Sequence, residues 1–137
     1  MDVSAIKTRV IKPFDPWRSP LCTCPFKWAL NPYTGCGHRC LYCYASSYIP
    51  RFFSPRIKKS ILVDVYRDST AIPRNSVVEL SSSSDPFQPI DNIYSYTIKV
   101  IETLLSKGHR VLITTKGTSI LLKHIDVLEK YRDRIAI

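Results

Sequence analysis

No run in this chain comes near the roughly 18 consecutive apolar residues that span a bilayer. The opening Met-Asp-Val-Ser-Ala-Ile-Lys-Thr-Arg also lacks the apolar core of a secretory signal. The chain therefore reads as cytoplasmic, with no membrane partner. Acidic residues are scarce, 11 Asp and Glu against 20 Lys and Arg, for a formal net charge of +9. That balance favours a polyanionic partner such as DNA or RNA. The charges are scattered apart from Arg51, Arg56, Lys58 and Lys59, and a solvated basic surface is the commoner meaning of charge alone. An even cysteine count is missing too. Five cysteines cannot all pair, and cytosolic thiols serve as metal ligands more often than as disulfides. What is present, 45% hydrophobic and 23% charged residues in 137, suits one modest globular domain.

Ten prolines interrupt the chain, all of them before residue 90, and residues 1–26 read as an irregular N-terminal leader. Residues 27–31 predict a short strand ending at Pro32. A short helix is expected from Ala45 until Pro50 and Pro55 stop it, and the β-branched run from Ile61 to Val65 has no assigned place. Residues 76–81 read as a buried strand leading into Ser82-Ser83-Ser84-Asp85-Pro86. Ile93, Tyr96, Thr97, Val100, Ile101, Leu104 and Leu105 then recur at helical spacing, which predicts a helix over 92–107 stopped by Gly108. A strand over 111–115, a helix over 119–131 and a strand begun at 134–137 complete the pattern. Such alternation implies an α/β fold of βαβ units, with the strands at 76–81 and 111–115 parallel. A parallel strand at the end would leave an unpaired apolar edge, so the domain reads as truncated after about three βα units.

Within Asn31-Pro-Tyr-Thr-Gly-Cys36-Gly-His-Arg-Cys40-Leu-Tyr-Cys43-Tyr-Ala45, three cysteines stand at C-x3-C-x2-C spacing. An ordinary 4Fe-4S cluster takes four thiolates. Three leave one iron with an open position, where a metal centre can engage a substrate. Cys36, Cys40 and Cys43 are thus the expected metal ligands, on one loop directly after the first strand, with their sulfurs converging. Gly35 and Gly37 would let the backbone wrap closely around the cluster. Zinc with His38 as fourth ligand is the alternative, although four ligands crowded so closely in sequence strain a tetrahedron. Cys22 and Cys24 form a C-x-C pair that is either bland or an auxiliary ligand pair. Tyr44, His109 and His124 read as structural.

The cysteine loop resembles that of the radical S-adenosylmethionine (SAM) superfamily, whose hallmark is C-x3-C-x2-C with an aromatic residue before the last cysteine, here Tyr42. The longer string is similar to one branch, the spore photoproduct lyase-like or DNA repair photolyase proteins. Ser84-Asp85-Pro86-Phe87-Gln88-Pro89-Ile90 resembles that branch's segment after the second barrel strand, and Thr114-Thr115-Lys116 its strand-three ending. The resemblance implies a parallel-sheet partial (β/α) barrel, with residues 27–137 its N-terminal part. It implies a 4Fe-4S cluster and SAM as cofactors, an external electron donor, and reductive cleavage of SAM to a hydrogen-abstracting 5′-deoxyadenosyl radical. It further implies lyase-like chemistry on a nucleic-acid substrate, with Tyr42, Ser83, Asp85 and Lys116 at the cofactor. The chain departs from the superfamily's common Gly-Gly-Glu motif, and has Ser46 where the branch often carries Arg. The alternative reading is a non-enzymatic zinc or iron–sulfur module that grips nucleic acid through a basic surface.

Overall fold

The computed structural model describes residues 3–14, 20–21 and 23–137. Its strands are β1 (Lys12–Pro13), β2 (Trp28–Leu30), β3 (Tyr33–Thr34), β4 (Arg56–Ile57), β5 (Val77–Leu80), β6 (Arg110–Ile113) and β7 (Ile135–Ala136). Its helices are α1 (Ile61–Ala71), α2 (Asp91–Tyr94), α3 (Tyr96–Ser106), α4 (Thr118–Leu122) and α5 (Ile125–Lys130). The main sheet runs β1-β2-β5-β6-β7, and β3 with β4 forms a separate antiparallel ribbon. β2, β5, β6 and β7 are all parallel, with Leu30 opposite Leu80 and Leu80 opposite Ile113. The fold is mixed α/β around a mostly parallel sheet, a partial β/α arrangement with no closed barrel among the described residues. Two residues of the stretch expected to be irregular, Lys12 and Pro13, pair antiparallel with β2 as an edge strand.

Pleating sorts the strand residues. Val78 and Leu80 of β5 are buried beside Val111 and Ile113 of β6, in one core with Val100, Ile101, Leu104 and Leu105 of α3. Glu79, between them, faces the other way. The parallel strands all end on the same side, where the loops after β2, β5 and β6 gather. Among the described residues no helix is long and apolar enough to cross a membrane.

α1 is the element that periodicity does not reveal. Its buried residues are Ile61, Asp64, Val65, Asp68 and Ser69, so polar groups occupy the stripe where an apolar pattern would announce a helix. Asp68, fully buried, accepts the backbone N–H groups of Arg9, Val10 and Ile11 on one oxygen and the Arg67 guanidinium on the other. Asp64 accepts from Ser60 and pairs with Arg9. The N-terminal segment is thereby fastened to α1, and Ile11 enters the core.

Asp68→Ala should orphan those three N–H groups and cost about 3 kcal/mol, read as a lower urea midpoint at neutral pH. Burial pushes this carboxyl up, but the N–H groups of Val10 and Ile11 and the Arg67 guanidinium outweigh it and hold it below its ordinary value. With the folded value below the unfolded one, the contribution is complete above the unfolded value of about 3.9 and is lost as pH falls through the folded value. The variant should therefore lose less stability than the parent on acidification. An equal acid loss in both would contradict the assignment.

The helix expected over 92–107 is two helices, α2 and α3. Ser95 between them takes a left-handed conformation at φ 49°, while Asp91 accepts the N–H of Thr97 and the phenol of Tyr33. The helix expected over 119–131 is likewise divided, into α4 and α5. Ile120, Leu121 and Leu128 are buried on both sides of that break, so the apolar pattern carries no sign of it. The helix expected from Ala45 is a single 3-10 turn, Tyr44–Ser47.

Candidate cofactor site

The Asn31-Pro-Tyr string before the cysteines acts as a scaffold. Asn31 accepts the Ser83 N–H at 3.1 Å and donates to Ser82 Oγ at 3.1 Å, so the end of β2 holds the serine loop that follows β5. Fully buried Tyr33 donates to Asp91 and stacks on Tyr96. Gly35 then turns the chain at φ 80°, and a Cβ there would lie 2.4 Å from the Phe52 carbonyl oxygen. Only glycine allows this approach, which lets the Cys36 N–H reach that carbonyl at 2.8 Å. Gly37 has no such need, since a Cβ there would make ordinary contact with Pro89.

Cys36, Cys40 and Cys43 line one cavity of about 540 Å³, walled also by Ser81 to Asp85 after β5 and by Thr114 to Lys116 after β6. Cys36 is buried, and Cys40 and Cys43 are half-buried. Burial pushes the Cys36 thiol up. The sulfurs do not meet at a point as expected: among the described residues no three His, Cys, Asp or Glu side chains stand close enough to hold a metal ion. Three thiols have no mutual attraction, and a ligand set rarely takes its final shape before its metal arrives. Cys22 lies outside the described residues, and Cys24 is exposed.

The four other expected cofactor residues all line this cavity. Lys116 Nζ sits over the Tyr42 ring, 4.3 Å from its centroid, joining the third-strand loop to the cysteine loop. Asp85 is buried, and its oxygens are already engaged. Oδ1 accepts the Phe87 N–H at 2.9 Å and the Thr115 hydroxyl at 2.6 Å, while Oδ2 accepts the Lys116 N–H at 2.7 Å and lies 3.4 Å from His38 Nε2. The carboxylate thus ties the loops after β5 and β6 together. Gly117 shares in this closeness, since a Cβ there would fall 1.9 Å from the Phe87 carbonyl oxygen. Asp85→Asn should set an amide N–H against the N–H of Lys116 or Phe87 and destabilise the fold by about 2 kcal/mol in urea unfolding. Unchanged stability would return Asp85 to the role of a free ligand group.

Sequence reasoning missed Gln88 and Ser81. Gln88, fully buried, accepts the Gly37 N–H at 2.9 Å and donates to the carbonyls of Gly35 at 2.9 Å and Asp85 at 3.1 Å. It clamps the cysteine loop from inside. Its signal in the sequence is its place within the Ser84–Ile90 segment that carries the family resemblance, two residues after Asp85-Pro86. Ser81 takes φ 91° at the end of β5, and its buried hydroxyl, like His38 Nε2, makes no hydrogen bond within the protein. Strained backbone of this kind gathers at functional sites, yet nothing in a run of four serines signals it. His109 is structural, its Nε2 meeting the Ser69 carbonyl at 2.7 Å. His124 lies beside the Phe87 ring.

Three soft thiols in a cavity that also holds the unpartnered Ser81 hydroxyl suit an iron–sulfur cluster by donor chemistry. An uncharacterized protein of the Acidianus two-tailed virus, ORF301, is 28% identical over 124 residues, covering 80% of this chain and 40% of the relative. An uncharacterized protein of Mycobacterium tuberculosis, Rv2578c, is 31% identical over 104 residues, covering 69% and 31%. One of Methanocaldococcus jannaschii, MJ0683, is 25% identical over 134 residues, covering 94% and 48%. The chain therefore spans less than half the length of these relatives. No solved structure matches it significantly. The profile of the radical SAM superfamily matches residues 30–137, and with the cysteine loop, the parallel sheet and the cavity at its strand ends in view, the chain belongs to the radical SAM superfamily.

Proposed function

We propose that this chain carries the cofactor site of a radical SAM enzyme, with Cys36, Cys40 and Cys43 holding a 4Fe-4S cluster and SAM lying beside it in the same cavity. The observation that carries this reading is that the C-x3-C-x2-C cysteines share one cavity with the loops at the C-terminal ends of β5 and β6. The chemistry such a cluster supplies when bound is one-electron reduction of SAM, which breaks a carbon–sulfur bond to give methionine and the 5′-deoxyadenosyl radical. The protein's part is positioning and exclusion of water. Gln88 holds the cysteine loop, Asp85 joins the two neighbouring loops, and Tyr42 with Lys116 narrows the opening. Ser83 is the proposed polar contact to SAM on this wall, and Asp85, with both oxygens engaged, holds the wall in shape.

The electron comes from an external donor. A nucleic-acid substrate and lyase-like repair chemistry are the finer proposal, supported by the +9 charge and the branch resemblance of the Asn31–Ala45 string. Anaerobic reconstitution with iron and sulfide tests the site. Broad absorbance near the visible edge with iron and sulfide bound in equal amounts supports it. Stoichiometric zinc with no such absorbance would favour the non-enzymatic metal module.

A further inference from the structure

A second cavity, of about 1130 Å³, adjoins the cofactor cavity and shares Phe14, Tyr44, Ser82 and Ser83 as common wall. Tyr44 marks the join, its hydroxyl donating to the Ser82 carbonyl at 2.5 Å. Three cations line this space, Arg9, Lys12 and Lys58, and no acidic side chain among the described residues does. Arg9 pairs with Asp64 at 3.2 Å, and Lys12 is exposed and donates to the Thr8 carbonyl. Lys58 differs. It is half-buried where Lys12 is exposed, its ammonium donates to the Asn31 carbonyl at 2.7 Å, and it has no carboxylate within ion-pair reach among the described residues.

An ammonium has three N–H donors, so two remain beyond the Asn31 contact. A partly desolvated charge without a counter-ion carries a cost that a bound anion would offset. The same walls carry aromatic faces. Tyr44 and Tyr48 are both exposed, with ring centroids 6.0 Å apart, and Phe14 lies on the shared wall. Cations joined to exposed rings are what binds a phosphate and an attached base together.

We propose that this second cavity is a subsite for a nucleotide, its phosphate on Lys58 and its base against Tyr44 and Tyr48. Its role as a substrate subsite rests on the cofactor reading of the neighbouring cavity, because the common wall brings the ligand beside that site. The binding itself needs no redox chemistry and is tested separately.

The test is fluorescence anisotropy of a short fluorescein-labelled oligothymidylate titrated with the full chain across a range of salt. Lys58→Gln should weaken binding about 10-fold and lower the slope of log affinity against log salt by about one. Lys99→Gln, on the exposed outer side of α3, should stay within about 2-fold of the parent. Tyr48→Ala, a change at an exposed ring, should also weaken binding about 10-fold and keeps the test alive if Lys58→Gln fails to fold. Displacement by adenosine monophosphate or inorganic phosphate at comparable concentration would identify a free nucleotide or phosphate as the source. Displacement by unlabelled oligonucleotide alone would identify a strand. Equal effects of Lys58→Gln and Lys99→Gln, or no binding by the parent, would overturn the proposal. A parent that binds through Lys58 yet never cleaves SAM would sink the neighbouring assignment and leave this subsite standing.

Discussion

Alanine at Cys36, Cys40 or Cys43 should bring reductive SAM cleavage to background. A three-thiolate cluster already leaves one iron without a protein ligand, so it has no thiolate to spare. The loss should come from the site and not from the fold. Cys40 and Cys43 are half-buried, so their truncation empties little core. Cys36 is buried, and its truncation should cost about 1 kcal/mol. The measurement is 5′-deoxyadenosine formed after chemical reduction, each variant compared with a parent already shown to be active. Undiminished product from Cys40→Ala would defeat the mechanism.

Gln88→Leu should have the largest effect among side chains that touch no metal. Leucine nearly matches glutamine in volume but leaves the Gly37 N–H and the Asp85 carbonyl without their partner, and the Gly35 carbonyl with the Ser84 hydroxyl alone. Orphaning these groups inside the fold should cost about 3 kcal/mol in urea unfolding. Iron retained after desalting should fall with it, because the loop carrying Cys36 loses its clamp. Gln88→Glu keeps the acceptor for Gly37 but sets a carboxylate against two carbonyls, and should lie at least as low in stability at neutral pH. If Gln88→Leu matched the parent in both stability and iron retention, the clamp would be wrong.

Legibility in the sequence follows the range of the interactions involved. Largely apolar stretches such as Val77 to Leu80, broken only by Glu79, and Val111 to Ile113 mark strands because burial on a parallel sheet selects them locally, and β5 and β6 lie where expected. The cysteine spacing is equally local and points to its chemistry unaided. Gln88 is different: its partners Gly35 and Gly37 lie more than 50 residues away in sequence, and no local pattern records that. α1 is hidden because Asp64, Asp68 and Ser69 sit on its buried side, the two aspartates serving the N-terminal segment instead of the core. Asp85 was legible as a site residue, but the engagement of both its oxygens by the backbone of Phe87 and Lys116 appears only once β5 and β6 are side by side.

The central claim is that the three cysteines hold a cluster whose open iron binds SAM. Paramagnetic resonance of the reconstituted, reduced chain, recorded before and after addition of SAM, tests it most directly. The account predicts a reduced 4Fe-4S signal whose g-values shift when SAM is added, and which is absent from Cys40→Ala. A spectrum silent after reduction, with zinc bound stoichiometrically, or a cluster signal indifferent to SAM, would contradict it.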